Sequence, residues 1–242
     1  IFAESGWWGR IFSAMKVLIP IVIGLLVAGC GKNSDESTNR MEGPIGDALR
    51  WKVGKEGFTK ESLAEIKSAN LSRIIVPKDI TDLSPLESLP NLQTLDLRRQ
   101  QKINDFSPLS KLKELQELTL DGTGISDLKP LTGLRKLTKL QLSQNMIADL
   151  SPLSELTQLT YLTLTDNKIT NEQLKHLSQM KNLKFLSIAN TPHIGNDNKI
   201  TNLEPLLGLK KLDEVLIMNL AGLSDEEVSK LEEALPGCTI RR

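Results

Sequence analysis

Cysteine and histidine are nearly missing from this chain, with two of each in 242 residues. A multi-ligand zinc site or a disulfide framework needs several such side chains, so both are nearly excluded. Net charge is missing too: 30 Lys and Arg stand against 30 Asp and Glu. That balance speaks against a nucleic-acid partner, which calls for a basic excess or stripe. The strongest basic cluster, Arg98-Arg99 with Lys102, has Asp96, Asp105 and Asp121 nearby to neutralise it. No Gly-rich phosphate loop or His-rich helix motif occurs, and neither His is placed to converge with an acid and a nucleophile. Catalysis therefore has almost no support, and no cofactor is called for. Aromatics amount to only 4%. What the chain has in excess is leucine, 43 residues or about 18%. With 39% apolar and 25% charged residues it is otherwise an ordinary globular composition.

The first 43 residues read as lying outside the fold. After Met15-Lys16 an apolar run extends from Val17 to Ala28, broken by Pro20 and Gly24. Twelve residues fall short of the ~20 that span a bilayer as a helix, but match the apolar core of a secretory signal. The run ends in Leu26-Val27-Ala28-Gly29-Cys30. Small residues before a cysteine resemble the lipobox of bacterial lipoproteins, in which Cys30 would become the lipid-modified first residue of the mature chain. Ile1 to Ala14 precede a start-like Met15, either as an upstream start assignment or as a longer leading region. Residues 1–29 are thus expected to be a signal peptide, and the polar stretch 30–43 a flexible tether to a membrane. The resemblance implies a bacterial cell envelope. Gly31, in place of an inner-membrane-retaining Asp, favours an outer membrane if the cell has one.

From about residue 80 a motif recurs. Ile80, Ile103, Ile125, Ile147 and Ile169 are spaced by 23, 22, 22 and 22 residues, then 31 to Ile200 and 23 to Leu223. Between them runs L-x-x-L-x-L-x-x-N-x-I, clearest in Leu159 to Ile169. This resembles a leucine-rich repeat protein. The physics leads to the same place. The L-x-L centre alternates with period two, so it is a short strand with its leucines on one face. One such strand cannot bury that face alone. Stacking copies in parallel creates a continuous core, in which each leucine is worth roughly 1.5–3 kcal/mol. The expected fold is an α/β repeat solenoid: a right-handed superhelix with a parallel concave sheet and short helical or 3₁₀ convex turns.

Two columns accompany the repeat. At the ninth position Gln100, Thr123, Asn145, Asn167 and Thr191 can hydrogen-bond backbone where the chain leaves each strand, whereas Leu220 cannot. On the other side, Ser84-Pro85, Ser107-Pro108 and Ser151-Pro152 recur, with Lys129-Pro130 and Glu204-Pro205 as variants. Ser is expected as N-cap and Pro as the first helical residue. Asp82, Asp105, Asp127 and Asp149 precede these turns, either complementing local dipoles or forming a cation ladder; the first is the simpler reading.

Copies reading I-x-D-L-S-P-L-x-x-L are closest to the internalin-like 22-residue class of bacterial repeats. That resemblance extends to the front, where residues 44–79 look like a helical N-terminal cap, with Thr59 to Ile66 helical and Leu71/Ile74/Val76 as a degenerate first strand. Repeats then cover 80–222. A C-terminal cap covers 223–242, with a helix from Ser224 to Leu235 and a closing strand, Pro236 to Ile240, in which Cys238 is a small buried residue. The insertion Pro192 to Lys199 adds a polar loop of the kind that lies on functional edges. His193 and Asp197 within it are too few for a metal site.

Residues alternating with the strand leucines face the concave side. The first three triplets are polar, Thr94/Asp96/Arg98, Glu117/Thr119/Asp121 and Lys139/Gln141/Ser143. The last three carry Tyr161, Phe185, Leu216 and Met218. An apolar strip with an aromatic anchor is a hot-spot composition. The leading expectation is a monomeric, lipid-anchored interaction module whose protein partner contacts Tyr161, Phe185, Leu216 and Met218, with Thr163 and Gln141 beside them. The alternative is an envelope scaffold for glycan or peptidoglycan, in which Gln141, Thr163 and Thr165 matter more.

Overall fold

The computed structural model describes residues 41–52, 57–71, 80–195 and 197–242. Cys30 and the apolar run before it lie outside the described residues, as do Ile74 and Val76. The described residues begin with α1 (Pro44–Leu49) and α2 (Lys60–Glu65). Eight three-residue strands follow: β1 (Ser68–Asn70), β2 (Thr94–Asp96), β3 (Glu117–Thr119), β4 (Lys139–Gln141), β5 (Tyr161–Thr163), β6 (Phe185–Ser187), β7 (Glu214–Leu216) and β8 (Thr239–Arg241). They form one parallel sheet in strict chain order, β1 to β8. A one-turn helix, α3 (Asn171–Leu174), lies between β5 and β6, and α4 (Asp225–Ala234) precedes β8. The molecule is therefore a leucine-rich repeat solenoid, one coil per strand.

Every coil closes by the same logic. The middle residue of each strand points inward, and Leu118, Leu140, Leu162 and Leu186 are fully buried. On the opposite side 3₁₀ turns begin at Ser84, Ser107, Lys129, Ser151 and Glu204, each with its Pro second. Pro fits the start of such a turn because its missing N–H would have no partner there. Ser is not the N-cap. The cap is the carboxylate two residues earlier: Asp105 Oδ1 accepts from Ser107 N–H (2.8 Å) and Oδ2 from its hydroxyl (2.9 Å). Asp82 holds Ser84, and Asp149 holds Ser151, in the same two-pronged way. Asp127 Oδ1 accepts from Lys129 N–H, and in the last coil Asn202 accepts from Glu204 N–H. The column thus acts as a set of local caps. An acceptor two residues before the turn reaches its first free N–H, while the serine hydroxyl is better placed as donor to the carboxylate.

These bonds hold the Asp105 and Asp149 carboxyls below their ordinary pKa, chiefly through the backbone N–H of Ser107 and of Ser151. A depressed folded-state pKa means that the stabilisation is present above the unfolded value of about 4 and is lost as pH falls through the lower, folded value. Thermal melts should therefore be flat from neutral pH to about 4 and decline below it. In an Asp105→Asn/Asp149→Asn protein the decline should be shallower, because the amide oxygen still caps but no longer titrates. An equal decline in both proteins would refute this account.

The ends are sealed as the stacking requires. At the front, Thr59 and Ser62 form a reciprocal capping box on α2, and Ile45, Leu49 and Leu63 are buried. Met41, expected in the tether, is 1% exposed and belongs to the core, so the folded body starts before residue 44. Gly46 allows this, since a Cβ there would lie 1.7 Å from the Met41 carbonyl oxygen. The first strand is also displaced from expectation. β1 is centred on Ala69, with Ile66, Ala69 and Leu71 in the inward L-x-x-L-x-L positions, and it pairs with β2 through Ala69 opposite Leu95. At the far end α4 buries Val228 and Leu231, and its N-cap Ser224 accepts from Glu227 N–H. β8 pairs with β7 and closes the sheet as expected. Cys238, expected to be buried, is only partly so; it packs against the core, and burial followed by Asp213 and Glu214 pushes its thiol pKa up.

Candidate interaction face

The concave face is laid out as cross-strand rows. In the first, Glu117, Lys139, Tyr161, Phe185 and Glu214 are register partners in succession. In the second, Thr119, Gln141, Thr163, Ser187 and Leu216 follow the same order. Tyr161 and Phe185 are stacked, with ring centroids 4.4 Å apart and planes 7° from parallel. Parallel strands in register at about 4.8 Å spacing produce this contact directly. Lys139 Nζ lies 5.3 Å from the Tyr161 ring centroid on the neighbouring strand, a cation–π distance. Both rings are half-buried, so their edges face the concavity. The Tyr161 phenol is held above its ordinary pKa, first by burial and then by the carboxylates of Asp121 and Glu214, and stays a hydrogen-bond donor. Glu214 is itself engaged by Arg241 of β8.

The other expected contact residues are distributed differently from a side-by-side strip. Leu216 and Met218 are half-buried on and just after β7, one and two rows beyond the rings. Between them Ser187 and Ala189 form a floor only 3% and 2% exposed. Gln141 is half-buried, and its Oε1 accepts the hydroxyl of Thr119. Thr163 is a correction: at 8% exposure its hydroxyl lies under the neighbouring side chains and is closed to a partner. Thr165 is tied to Ser187 by a hydroxyl–hydroxyl bond. Arg98, read as a neutralised edge residue, forks onto Asp96, with its Nη2 2.6 Å from Oδ2.

A ladder where the chain leaves each strand ties neighbouring coils together beside this face. Asn145 Nδ2 donates to the Leu120 and Leu142 carbonyls, while its Oδ1 accepts from Gly124 N–H. Asn167 repeats this one coil on, bonding the Leu142 and Leu164 carbonyls and the Ile147 N–H. In the next coil the expected Thr191 is exposed and does not take the role. Asn198, from the end of the insertion, does: Nδ2 donates to the Leu164 and Ile188 carbonyls, and Oδ1 accepts from Ile169 N–H. Asn190 clamps the Asn198 backbone at both its N–H and its carbonyl. Asp166, fully buried, accepts from Thr191 N–H at the start of the loop. Sequence did hold a signal for this. Asn198-Lys199-Ile200 has the N-x-I form of Asn145-Met146-Ile147 and Asn167-Lys168-Ile169. Among the described residues no group of three or more His, Cys, Asp or Glu gathers as a metal cluster, and His193 and Asp197 are both exposed.

The repeats and the fold are those of a leucine-rich repeat protein, and the fold is similar to that of bacterial internalins. The family model described as Leucine rich repeat matches residues 113–169. Internalin C2 of Listeria monocytogenes is similar over 81% of this chain and 92% of its own, with 25% identity and a TM-score of 0.59. A second Listeria monocytogenes internalin, InlF, is similar in fold over 83% of this chain, at 23% identity and a TM-score of 0.59. A leucine-rich repeat protein of Leptospira interrogans shares 27% identity over 76% of this chain, with a TM-score of 0.56. The chain spans 62% and 51% of those last two proteins. No curated protein matches it in sequence. The fold is that of an interaction module, with an extended concave surface available for binding.

Proposed function

We propose that this chain is a bacterial envelope lipoprotein, anchored through a lipid on Cys30, whose concave face binds another protein at the Tyr161–Phe185 pair. The observation that carries the binding reading is the stacked ring pair, centroids 4.4 Å apart, half-exposed on a sheet face whose N-terminal half is polar. Rigid aromatics offer large contact area at small entropic cost, and such anchors dominate binding energy. Leu216 and Met218 extend the apolar area across the small floor of Ser187 and Ala189. The protein acts as a binder, not an enzyme, and as a monomer. Gly31 after the anchoring cysteine favours an outer membrane where one is present. The glycan-scaffold alternative, as drawn on Gln141, Thr163 and Thr165, keeps only Gln141, because the other two hydroxyls are buried or already tied.

Crosslinking and capture from the native envelope tests the binding site, with wild type beside a Tyr161→Glu/Phe185→Glu variant. A protein lost only from the variant supports the reading, and an unchanged partner list overturns it. Anchoring is tested separately. Cys30→Ala should abolish fatty-acid labelling and move the protein out of the membrane fraction, because no other group offers a thiol at the cleavage site. Unchanged membrane fractionation of Cys30→Ala would refute the lipid anchor.

A further inference from the structure

The concave face has a second feature, at its N-terminal end and apart from the rings. A hollow of about 310 Å³ lies over β1 to β4, with Leu49 and Lys52 of the N-terminal cap forming a wall that the rest of the face lacks. Its volume falls at the lower end of the ~300–1,000 Å³ typical of small-ligand sites.

The chemistry of its lining decides what fits. Three cations, Lys52, Arg98 and Lys139, face two carboxylates, Asp96 and Glu117, so the formal charge is +1. Arg98 is already taken up by Asp96, at 2.6 Å, and Lys52 Nζ donates to Ser68. Such a site has little pull on a polyanion or a polycation. It also lacks an apolar anchor: Leu49, Ala69 and Leu95, which border it, are 1–3% exposed. A protein hot spot needs an apolar contact of that kind. What remains open is an alternation of donors and acceptors within two rows. Glu117 offers carboxylate acceptors and Lys139 an ammonium donor. Gln141, its oxygen accepting from Thr119, lines the hollow with an amide nitrogen that can donate. Thr94 contributes a hydroxyl that does both. Neighbouring hydroxyls of a sugar each donate and accept, and match an interleaved, charge-balanced set of this sort.

From this we infer that the hollow binds a neutral saccharide unit, the end of a longer glycan, through Thr94, Glu117, Lys139 and Gln141. It goes beyond the protein-binding reading; Lys139 borders Tyr161, but Thr94 and Glu117 take no part in the ring site, so variants at those two let the readings fail separately. The probe is an array of defined glycans with hexose, N-acetylhexosamine and deoxyhexose termini, neutral and acidic, screened with the purified full chain. Hits are then measured as free oligosaccharides by saturation-transfer NMR. Neutral termini should bind with little change between low and high salt, since no net charge is neutralised. Glu117→Ala and Thr94→Val should each weaken binding about tenfold by removing one hydrogen bond to the ligand, the former a charge-assisted one. Phe185→Glu, one strand further from Lys139, should leave it unchanged. The sugar that binds separates a wall glycan from one carried by a protein. Binding confined to acidic glycans and abolished by salt overturns the inference. So does silence across the whole array, or binding indifferent to both variants.

Discussion

Asn198→Ala is expected to destabilise the protein by about 3 kcal/mol or more, although the residue closes what reads as a polar surface loop. Its side chain is 2% exposed and joins two successive coils, through the Leu164 and Ile188 carbonyls and the Ile169 N–H. Truncation leaves the Ile169 N–H and the Ile188 carbonyl short of a partner, at roughly 1–3 kcal/mol for each unsatisfied group, while the Leu164 carbonyl keeps the Asn167 amide. Against a total stability of about 5–15 kcal/mol this is a large loss. Thr191→Ala removes the residue that the repeat register places in this ladder, yet it should cost less than about 0.5 kcal/mol because that side chain is in solvent. Asn167→Ala, an undisputed ladder position, sets the scale. Urea unfolding of the three variants decides the matter. Equal, small losses for Asn198→Ala and Thr191→Ala would mean that the insertion does not carry the ladder.

Replacing both Tyr161 and Phe185 with Glu should reduce capture of the protein partner at least a hundredfold. Loss of one central aromatic anchor commonly costs 2 kcal/mol or more, about thirtyfold, and here two are lost together. The substitution also places two carboxylates side by side on adjacent strands, where an apolar partner surface would have to desolvate them unpaired. The fold should tolerate this, since both rings are half-exposed and the core leucines on either side, Leu162 and Leu186, are untouched. A melting temperature close to wild type, alongside lost capture, separates a binding defect from unfolding. Single alanine variants should each retain part of the affinity, because the remaining ring keeps its place in the row. The double variant binding as wild type does would place the interface elsewhere on the solenoid.

Where the chain repeats at 22 residues, reading was reliable: each L-x-L became a strand, with register set by a side-chain period of two. The Tyr161–Phe185 pairing was legible on the same ground, since equivalent positions of consecutive repeats must become neighbours. Three things were not. The described strand that pairs with β2 is Ser68–Asn70, while Ile74 and Val76 lie outside the described residues; its inward centre is Ala69, and a small residue in place of leucine hid the motif. Thr163 has the alternation of an exposed residue but is covered by its row neighbours, which only side-chain packing reveals. The turn caps are Asp and not Ser, because both sit beside the turn and the choice depends on which oxygen reaches the first free N–H.

By itself, then, the leucine period determined the solenoid, its parallel sheet, the inward and outward faces, and the order in which the concave side chains follow one another. These are consequences of local spacing, since each coil needs only its neighbours to bury its leucines. Tertiary structure decided what spacing cannot carry. It brought Asn198 across an eight-residue insertion into the ladder, placed the N-terminal cap beside the polar end of the sheet to make a hollow, and left the Tyr161–Phe185 edges open while closing Thr163. Each depends on segments that break the repeat, or on how large side chains cover small ones, and neither property has a period.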